Sequence, residues 1–453
     1  MDFPSYFDWN IQKHPDVLPV KEVPKPTLSQ LSTVVFDDEG LRDGLQGTLV
    51  YPGAREMHRY IDLCIRVGIT TLTVGIYSEK GSRAEEITFS CLRYLAKKYP
   101  QAIPVVVIRP LTPDILYAKE CHELNENTQI LIFQGSSPPR LWVQGWTEET
   151  VLEGLAKALD TVNKSCDGNT LSTLEDATRA TPEFVRAFLQ MSIRHKAKRI
   201  VFADTTGHLD PWGAFRFITF ARQILDKEGG KSIEIDFHGH RDRNLDIPVA
   251  LAALSAGATR LHGVVLGVGE RAGNTALDGL LYNIVRMIEE QEGTHAFDLS
   301  KLPELCRQYS IMTNTDISKH YPLIGDHAFL TAVGIHADAQ EKGMNILATL
   351  GENDGFITER KSALEKVLRT IYTSVDHKQL GRIQRYLIGP LSGEATVRMW
   401  LYHQGFDITQ QGMQDIVLRI KSYAKQHQRI LRDEEIYEIL EKKGIKRRRP
   451  ALQ

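Results

Sequence analysis

Ile233-Glu234-Ile235-Asp236-Phe237-His238-Gly239-His240-Arg241-Asp242 decides the reading of this chain. Its first five residues form a β-type run, and in a strand positions i and i+2 face the same way. A strand ending here aims the imidazoles of His238 and His240 at one point. Imidazole pairs of this kind suit zinc, manganese, cobalt or iron. Two histidines at a strand end also occur as plain surface residues. The pair gains meaning only if the rest of the chain supplies a carboxylate and a scaffold.

Working outward, the run belongs to a rhythm. Arg199–Ala203 precedes helical spacing over 211–227, the His238 run precedes 245–256, and Arg260–Leu266 precedes 275–290. Upstream, apolar runs at Thr33–Phe36, Thr70–Val74, Val105–Ile108, Ile130–Phe133 and Asn169–Ser172 each precede a helical pattern. Strands alternating with helices imply parallel pairing. Eight such units predict an α/β fold, a (β/α)₈ TIM barrel, rather than an open doubly wound sheet. No Gly-x-Gly-x-x-Gly turn follows the first strand, against a dinucleotide fold. Residues 1–30 read as a proline-punctuated arm on the body or on a neighbour, and 31–295 as the barrel. Residues 296–400 read as a mixed helix–loop subdomain region. Residues 401–453 read as a helical segment with a basic tail, so smaller, mostly helical subdomains follow the barrel. The tail is expected to be a solvated, disordered end, with phosphate binding as the alternative.

Active sites of such barrels lie at the C-terminal strand ends. There the polar residues gather: Asp37 to Gln46 after strand one, Glu175 after strand five, Thr205 after strand six, His238 and His240 after strand seven, and Glu270, Arg271 and Asn274 after strand eight. A divalent metal held by Asp43, His238 and His240 would keep open positions for substrate and act as a Lewis acid on a carbonyl. Arg42 can stabilise an enolate or alkoxide, or fork onto a substrate carboxylate; it can equally be a barrel-end salt bridge. Asn274 fits either the metal's surroundings or a helix N-cap. Thr205 can donate to a substrate carboxylate or cap its own turn. Glu175 can relay a proton or simply begin a helix.

Composition sets the outer limits. The 453 residues are 42% hydrophobic and 25% charged, with a net charge of −2, which gives no global pull toward nucleic acid or membrane. No run of about 18 apolar residues predicts a transmembrane helix. The N-terminus lacks signal-peptide features. Five widely spaced cysteines fit reduced thiols in a cytoplasmic protein.

Three motifs together resemble the DRE-TIM metallolyase superfamily: Leu41-Arg42-Asp43-Gly44-x-Gln46, His238-x-His240-x-Asp242, and Gly267-x-Gly269-Glu270-Arg271-Ala272-Gly273-Asn274. That group includes 2-isopropylmalate, homocitrate, citramalate and Re-citrate synthases and 3-hydroxy-3-methylglutaryl-CoA lyase. Beyond the barrel, Gly334-Ile335-His336-x-Asp338, the Tyr372-to-Gly381 spacing and Gly389-x-x-Ser392-Gly393 resemble the Claisen-condensing synthases, whose subdomains the lyases lack. The resemblance implies condensation of acetyl-CoA with a 2-oxo acid to a 2-hydroxy di- or tricarboxylic acid. The metal it implies is zinc, manganese, cobalt or magnesium, held by Asp43, His238 and His240 with Asn274. Arg42, Glu175, His336 and Tyr372 would carry the catalysis, and His336 and Tyr372 would enter from the partner of a homodimer with shared sites. Arg42, Gln46, Thr205, Arg140 and Arg241 would contact substrate, and Gly267, Gly269, Glu270 and Arg271 would border the CoA.

The chain also departs from the synthase pattern. Glu39-Gly40 replaces Thr-Thr, Leu45 a common Glu, Thr73 a strand-two Glu, Leu131 a strand-four His, and Arg241 a common Asn. Leu131 and Leu171 favour an apolar substrate tail. Arg109, Arg140 and Arg241 keep a second-carboxylate substrate, as in homocitrate or Re-citrate synthases, in view. A 3-hydroxyacyl-CoA lyase and a non-catalytic metal-binding assembly protein are the remaining alternatives. Residues 400–453 are too short for the regulatory domain of the leucine-controlled synthases, so feedback through such a domain is not expected.

Overall fold

The computed structural model describes residues 4–349, 355–407 and 412–447. Eight parallel strands close into a barrel in chain order: β1 (Val35–Asp38), β2 (Thr71–Ile76), β3 (Ile103–Ile108), β4 (Gln129–Gly135), β5 (Thr170–Glu175), β6 (Arg199–Asp204), β7 (Glu234–Gly239) and β8 (Ala258–Gly263). Val35 opposite Arg260 and Asp38 opposite Gly263 seal β1 to β8. The strands read as near-continuous apolar runs because helices cover their outer face and side chains fill the inner one. Strand one starts two residues later than its β-branched run predicts. Thr33 is instead the end of a short helix, Leu28–Thr33, and the strand takes in Asp37 and Asp38.

The crossover helices are α1 (Ala54–Val67), α2 (Arg83–Lys98), α3 (Thr112–Leu124), α4 (Glu148–Ser165), α5 (Pro182–Arg194), α6 (Pro211–Lys227), α7 (Asp246–Ser255) and α8 (Leu277–Glu290). Local chemistry sets their ends. Pro182 and Pro211 stand at the first helical position, where no backbone N–H is needed. The preceding Thr181 and Asp210 accept hydrogen bonds from the N–H groups of Phe184 (3.2 Å) and Gly213 (2.7 Å). Gly68 ends α1 with φ of +105°, a conformation that strongly favours glycine.

The barrel interior has two characters. Val105, Val107, Leu131, Leu171 and Val201 form an apolar cluster on the β3–β6 side. Near β7 and β8 the interior is charged: Asp236 accepts from Arg199 at 2.6 Å, and Arg260 donates to Gln129 at 2.8 Å.

The chain divides into two compact units, Met1–Asp316 and Ile317–Gln453. The first takes in both flanks of the barrel. In the N-terminal arm, Trp9 is fully buried, donates its indole N–H to the Ala180 carbonyl (3.0 Å), and meets Phe217 edge-on at 4.8 Å. The arm thus lies on the body. Past the rhythm, helix Leu302–Thr313 packs on α1 and buries Tyr309 completely.

The second unit contains helices Gly334–Thr349, Gly355–Arg369, Glu394–His403, Met413–His427 and Asp433–Glu441, with Leu330–Thr331 pairing parallel to Arg385–Tyr386. Val397, Trp400, Leu401, Ile416, Val417, Ile420 and Leu440 form its core. The end of the basic tail lies outside the described residues. Among the described residues no helix is long and apolar enough to cross a membrane.

Candidate active site

At the end of β1 the chain passes through Glu39 into a π-helical turn, Gly40–Gly44. Such turns are rare and often mark functional positions. This one is wedged in place. A Cβ on Gly40 would fall 2.6 Å from the Tyr60 hydroxyl, and one on Gly44 1.9 Å from that of Tyr309. Tyr309 donates to the Gly40 carbonyl at 3.1 Å. Arg42 and Asp43 are thereby held over the barrel mouth.

Asp43 faces the two histidines of the opening motif. Its Oδ2 lies 3.6 Å from His238 Nε2 and 3.9 Å from His240 Nε2. Asn274 is not a helix cap, since Ala276 occupies that position for α8. A bridge between His240 and Asn274 sets it beside the pair, and its Nδ2 donates to Asp43 Oδ2 at 3.2 Å. Ligand atoms of Asp43, His238 and His240 all lie within 4.8 Å of one another. Asp43 Oδ1 and Asn274 Oδ1 are buried without a hydrogen-bond partner among the described residues. Buried oxygen acceptors are normally satisfied, so two orphans beside two imidazoles fit a cation.

The other ring nitrogens reinforce this. His238 Nδ1 pairs with Glu39 Oε1 at 2.8 Å, and His240 Nδ1 with the Gly273 carbonyl at 3.2 Å. Each acceptor calls for a proton on Nδ1, which turns both Nε2 lone pairs toward Asp43. Burial and the neighbouring His238 push His240 down to about 4, so it is neutral, as a ligand must be. For Asp43, burial raises the carboxyl, but Arg42 and His238 outweigh it and hold it below the usual carboxylate range.

Glu39 and His262 are the residues that motif reading missed. Glu39 is completely buried and accepts from His238, from His262 Nδ1 (2.7 Å) and from the Arg42 guanidinium. Burial raises its carboxyl, yet Arg42 and His238 keep it well below its ordinary value. Burial lowers the His262 imidazole, but Asp37, Asp236 and Glu39 lift it to about 10. The signal for His262 was its two-residue spacing from Arg260 on one strand, which puts both on the interior face.

A cavity of about 180 Å³ opens beside the cluster. Arg42, Gln46, Glu175, Thr205, Glu270 and Arg271 line it with Asp43, His238 and His240, over an apolar floor that includes Ile76, Val107, Leu131 and Phe133. Burial raises the Glu175 carboxyl, partly offset by Arg140, whose Nε is 3.5 Å away. Arg271 is committed to Asp242 (2.8 Å) and the Thr205 carbonyl. Thr205 Oγ1 accepts from the Asp176 N–H at 2.9 Å.

Other candidates fall outside this cavity's lining. Arg109 forks onto Asp114, and Arg241 turns to Asn244 (3.3 Å), lying where a Cβ on Gly267 would meet its guanidinium at 2.2 Å. Gly269 packs against Asn274, and a Cβ there would fall 1.7 Å from Asn274 Oδ1. Leu171 is buried in the same cluster, beside Leu131 on the neighbouring strand. Thr73 donates its hydroxyl to Asp37 (3.0 Å). In the second unit, the His336 and Tyr372 rings stack at 3.9 Å, with Tyr372 46% exposed.

Comparison with known proteins gives the family. The HMGL-like family model matches residues 33–308. The chain is 23% identical to the 2-isopropylmalate synthase of Ruminiclostridium cellulolyticum, over 89% of this chain and 73% of that one. It is 24% identical to the putative (R)-citramalate synthase of Methanopyrus kandleri, over 87% and 69%. The hydroxymethylglutaryl-CoA lyase structure from Pseudomonas aeruginosa superposes with a TM-score of 0.51 at 16% identity, covering 62% of this chain and 94% of that one, a likeness of fold. With the barrel, its three motifs and the family match in agreement, the chain belongs to the HMGL-like family, the DRE-TIM group that its sequence resembles.

Proposed function

We propose that this protein is a metal-dependent acyltransferase that condenses acetyl-CoA with a 2-oxo acid of apolar tail, an alkylmalate-type synthase. One observation carries the substrate class: the floor beside Arg42, Asp43 and the histidine pair is Ile76, Val107, Leu131 and Phe133, while Arg109, Arg140 and Arg241 lie outside its lining. An apolar floor accepts an alkyl group, and the two guanidinium groups of the cavity wall are already paired, Arg42 with Glu39 and Asp43 and Arg271 with Asp242. The names of the relatives, 2-isopropylmalate and citramalate synthase, support the reaction class.

Asp43, His238 and His240 would hold a divalent cation, with Asn274 beside them. When bound, such a cation supplies Lewis-acid polarisation of a carbonyl. The Arg42 guanidinium stabilises the negative charge that develops on the enolate or alkoxide oxygen. Glu175, its carboxyl raised by burial, is suited to exchange a proton at the cavity wall. Thr205 and Gln46 orient the 2-oxo acid. His336 and Tyr372 complete the proton-transfer set from the partner subunit of a homodimer, supported by their stacked, partly exposed pairing. Glu270 and Arg271, with Gly267 and Gly269, form the edge that meets the CoA. Cytoplasmic residence is supported by five buried, unpaired cysteines.

The test is a panel of 2-oxo acids with acetyl-CoA, following free thiol release from the full-length protein. Turnover with branched or short-chain 2-oxo acids is expected. Turnover with 2-oxoglutarate or oxaloacetate alone overturns the apolar-tail assignment. Cleavage of a 3-hydroxyacyl-CoA without any condensation overturns the synthase.

A further inference from the structure

We propose that Glu39 is the positioning residue of this centre, the single carboxylate that orients His238 toward the cation and tethers Arg42 over the substrate. The proposal rests on the metal site proposed above. It starts from placement. Glu39 is the residue between β1 and the π-turn carrying Arg42 and Asp43, and its side chain reaches inward to β7 and β8.

Its two oxygens do different jobs. Oε1 receives both His238 Nδ1 (2.8 Å) and His262 Nδ1 (2.7 Å), while Oε2 receives the Arg42 guanidinium. A carboxylate is acceptor-only, so it satisfies all three donors at once. His238 must then keep its proton on Nδ1 and present Nε2 to Asp43 and His240. A carboxylate behind a ligating imidazole fixes the tautomer and ring orientation and raises ligand basicity. His262 stiffens the arrangement from below. It is completely enclosed, with Nε2 3.5 Å from Asp236 Oδ2 and 3.8 Å from Asp37 Oδ2. Glu39 therefore couples the ligand histidine to the guanidinium in one rigid contact.

Glu39, His238 and His262 also form a set with ligand-like proximity. The two Nδ1–Oε1 distances are those of hydrogen bonds, which assigns protons rather than a second cation there.

The test compares wild type, Glu39→Gln, Glu39→Asp and His238→Ala by titrating metal-stripped protein with Zn²⁺ or Co²⁺ in chelator buffer, with elemental stoichiometry. The amide of Glu39→Gln cannot accept from all three donors. Its metal affinity is expected to fall about 10–100-fold, the usual cost of losing such a partner. The visible bands of its Co²⁺ form should shift, and Glu39→Asp, which keeps the charge, should recover part of the affinity. Wild-type affinity and unshifted bands in Glu39→Gln, with metal lost in His238→Ala, overturn the role of Glu39 and leave the metal site standing. Undiminished metal in His238→Ala overturns the metal site itself. Two metals per chain, one lost in Glu39→Gln, make Glu39 a ligand and overturn positioning. Circular dichroism checks folding. If Glu39→Gln unfolds, Glu39→Asp is read by the same criteria, and unfolding of both reassigns Glu39 to stability alone.

Discussion

His238 Nε2 and His240 Nε2 stand 3.2 Å apart, and each ring's Nδ1 already faces an acceptor, Glu39 for one and the Gly273 carbonyl for the other. Two lone pairs directed at each other repel unless a positive charge lies between or beside them. A cation held by the candidate ligands Asp43, His238 and His240 would relieve that repulsion.

Dialysis against a strong chelator should therefore abolish condensation, and zinc, manganese or cobalt should restore it. Metal in hundredfold excess over its Kd should stabilise the fold by about 3 kcal/mol. His240→Ala should lose both effects, as read by thiol release and by thermal unfolding with and without metal. Metal-independent turnover in His240→Ala would contradict the ligand assignment.

Gly269→Ala tests Asn274 without touching it. The added methyl would sit 1.7 Å from Asn274 Oδ1, so the amide must leave Asp43. Activity should drop by about tenfold or more, equivalent to roughly 1.4 kcal/mol of lost stabilisation. Secondary structure by circular dichroism should stay intact. Unchanged kcat/KM would mean that the amide position is irrelevant.

Leu131→Ala probes the cavity floor. Leu131 is nearly buried and packs beside Leu171 and Val107. Truncation should cost about 2–5 kcal/mol of stability. The enlarged floor should also move the kcat/KM ratio toward bulkier 2-oxo acids by about tenfold. A destabilised protein with unaltered preference would place the substrate tail elsewhere.

Asp38 gives a pH signature. Burial, against hydrogen bonds from Tyr60 and the Gly40 N–H, pushes its carboxyl up to about 7. The folded state then holds a proton that the unfolded chain releases near pH 4. This contribution is fully present below about pH 4 and is lost as pH rises toward 7, on the order of 4 kcal/mol. Asp38→Asn should flatten that decline in denaturant midpoints measured between pH 4 and 7. A slope identical to wild type would show that Asp38 is already ionised in the fold.

The barrel was legible because its signal is local and repeated. Each β-type run is followed by a helical period, and the caps at Thr181 and Asp210 and the stop at Gly68 mark helix ends within the chain itself. The strand-end rule then brings Asp43, His238 and His240 to one rim from the sequence alone. Less local matters were not legible. Helix Leu302–Thr313 falls after the rhythm ends, yet it belongs to the first unit because Tyr309 fills the space under Gly40 and Gly44.

What the amino-acid order determined alone was therefore periodicity, topology class and the candidate ligating side chains, all set by nearest neighbours along the chain. Tertiary structure decided which polar groups have partners. Asn274 became a neighbour of Asp43 rather than a helix cap, Arg241 turned to Asn244, and Glu39 gathered His238, His262 and Arg42. Those choices depend on side chains from strands far apart in sequence meeting in a water-poor interior. There an unsatisfied donor is costly, so the partner each group finds is set by the closed barrel as a whole.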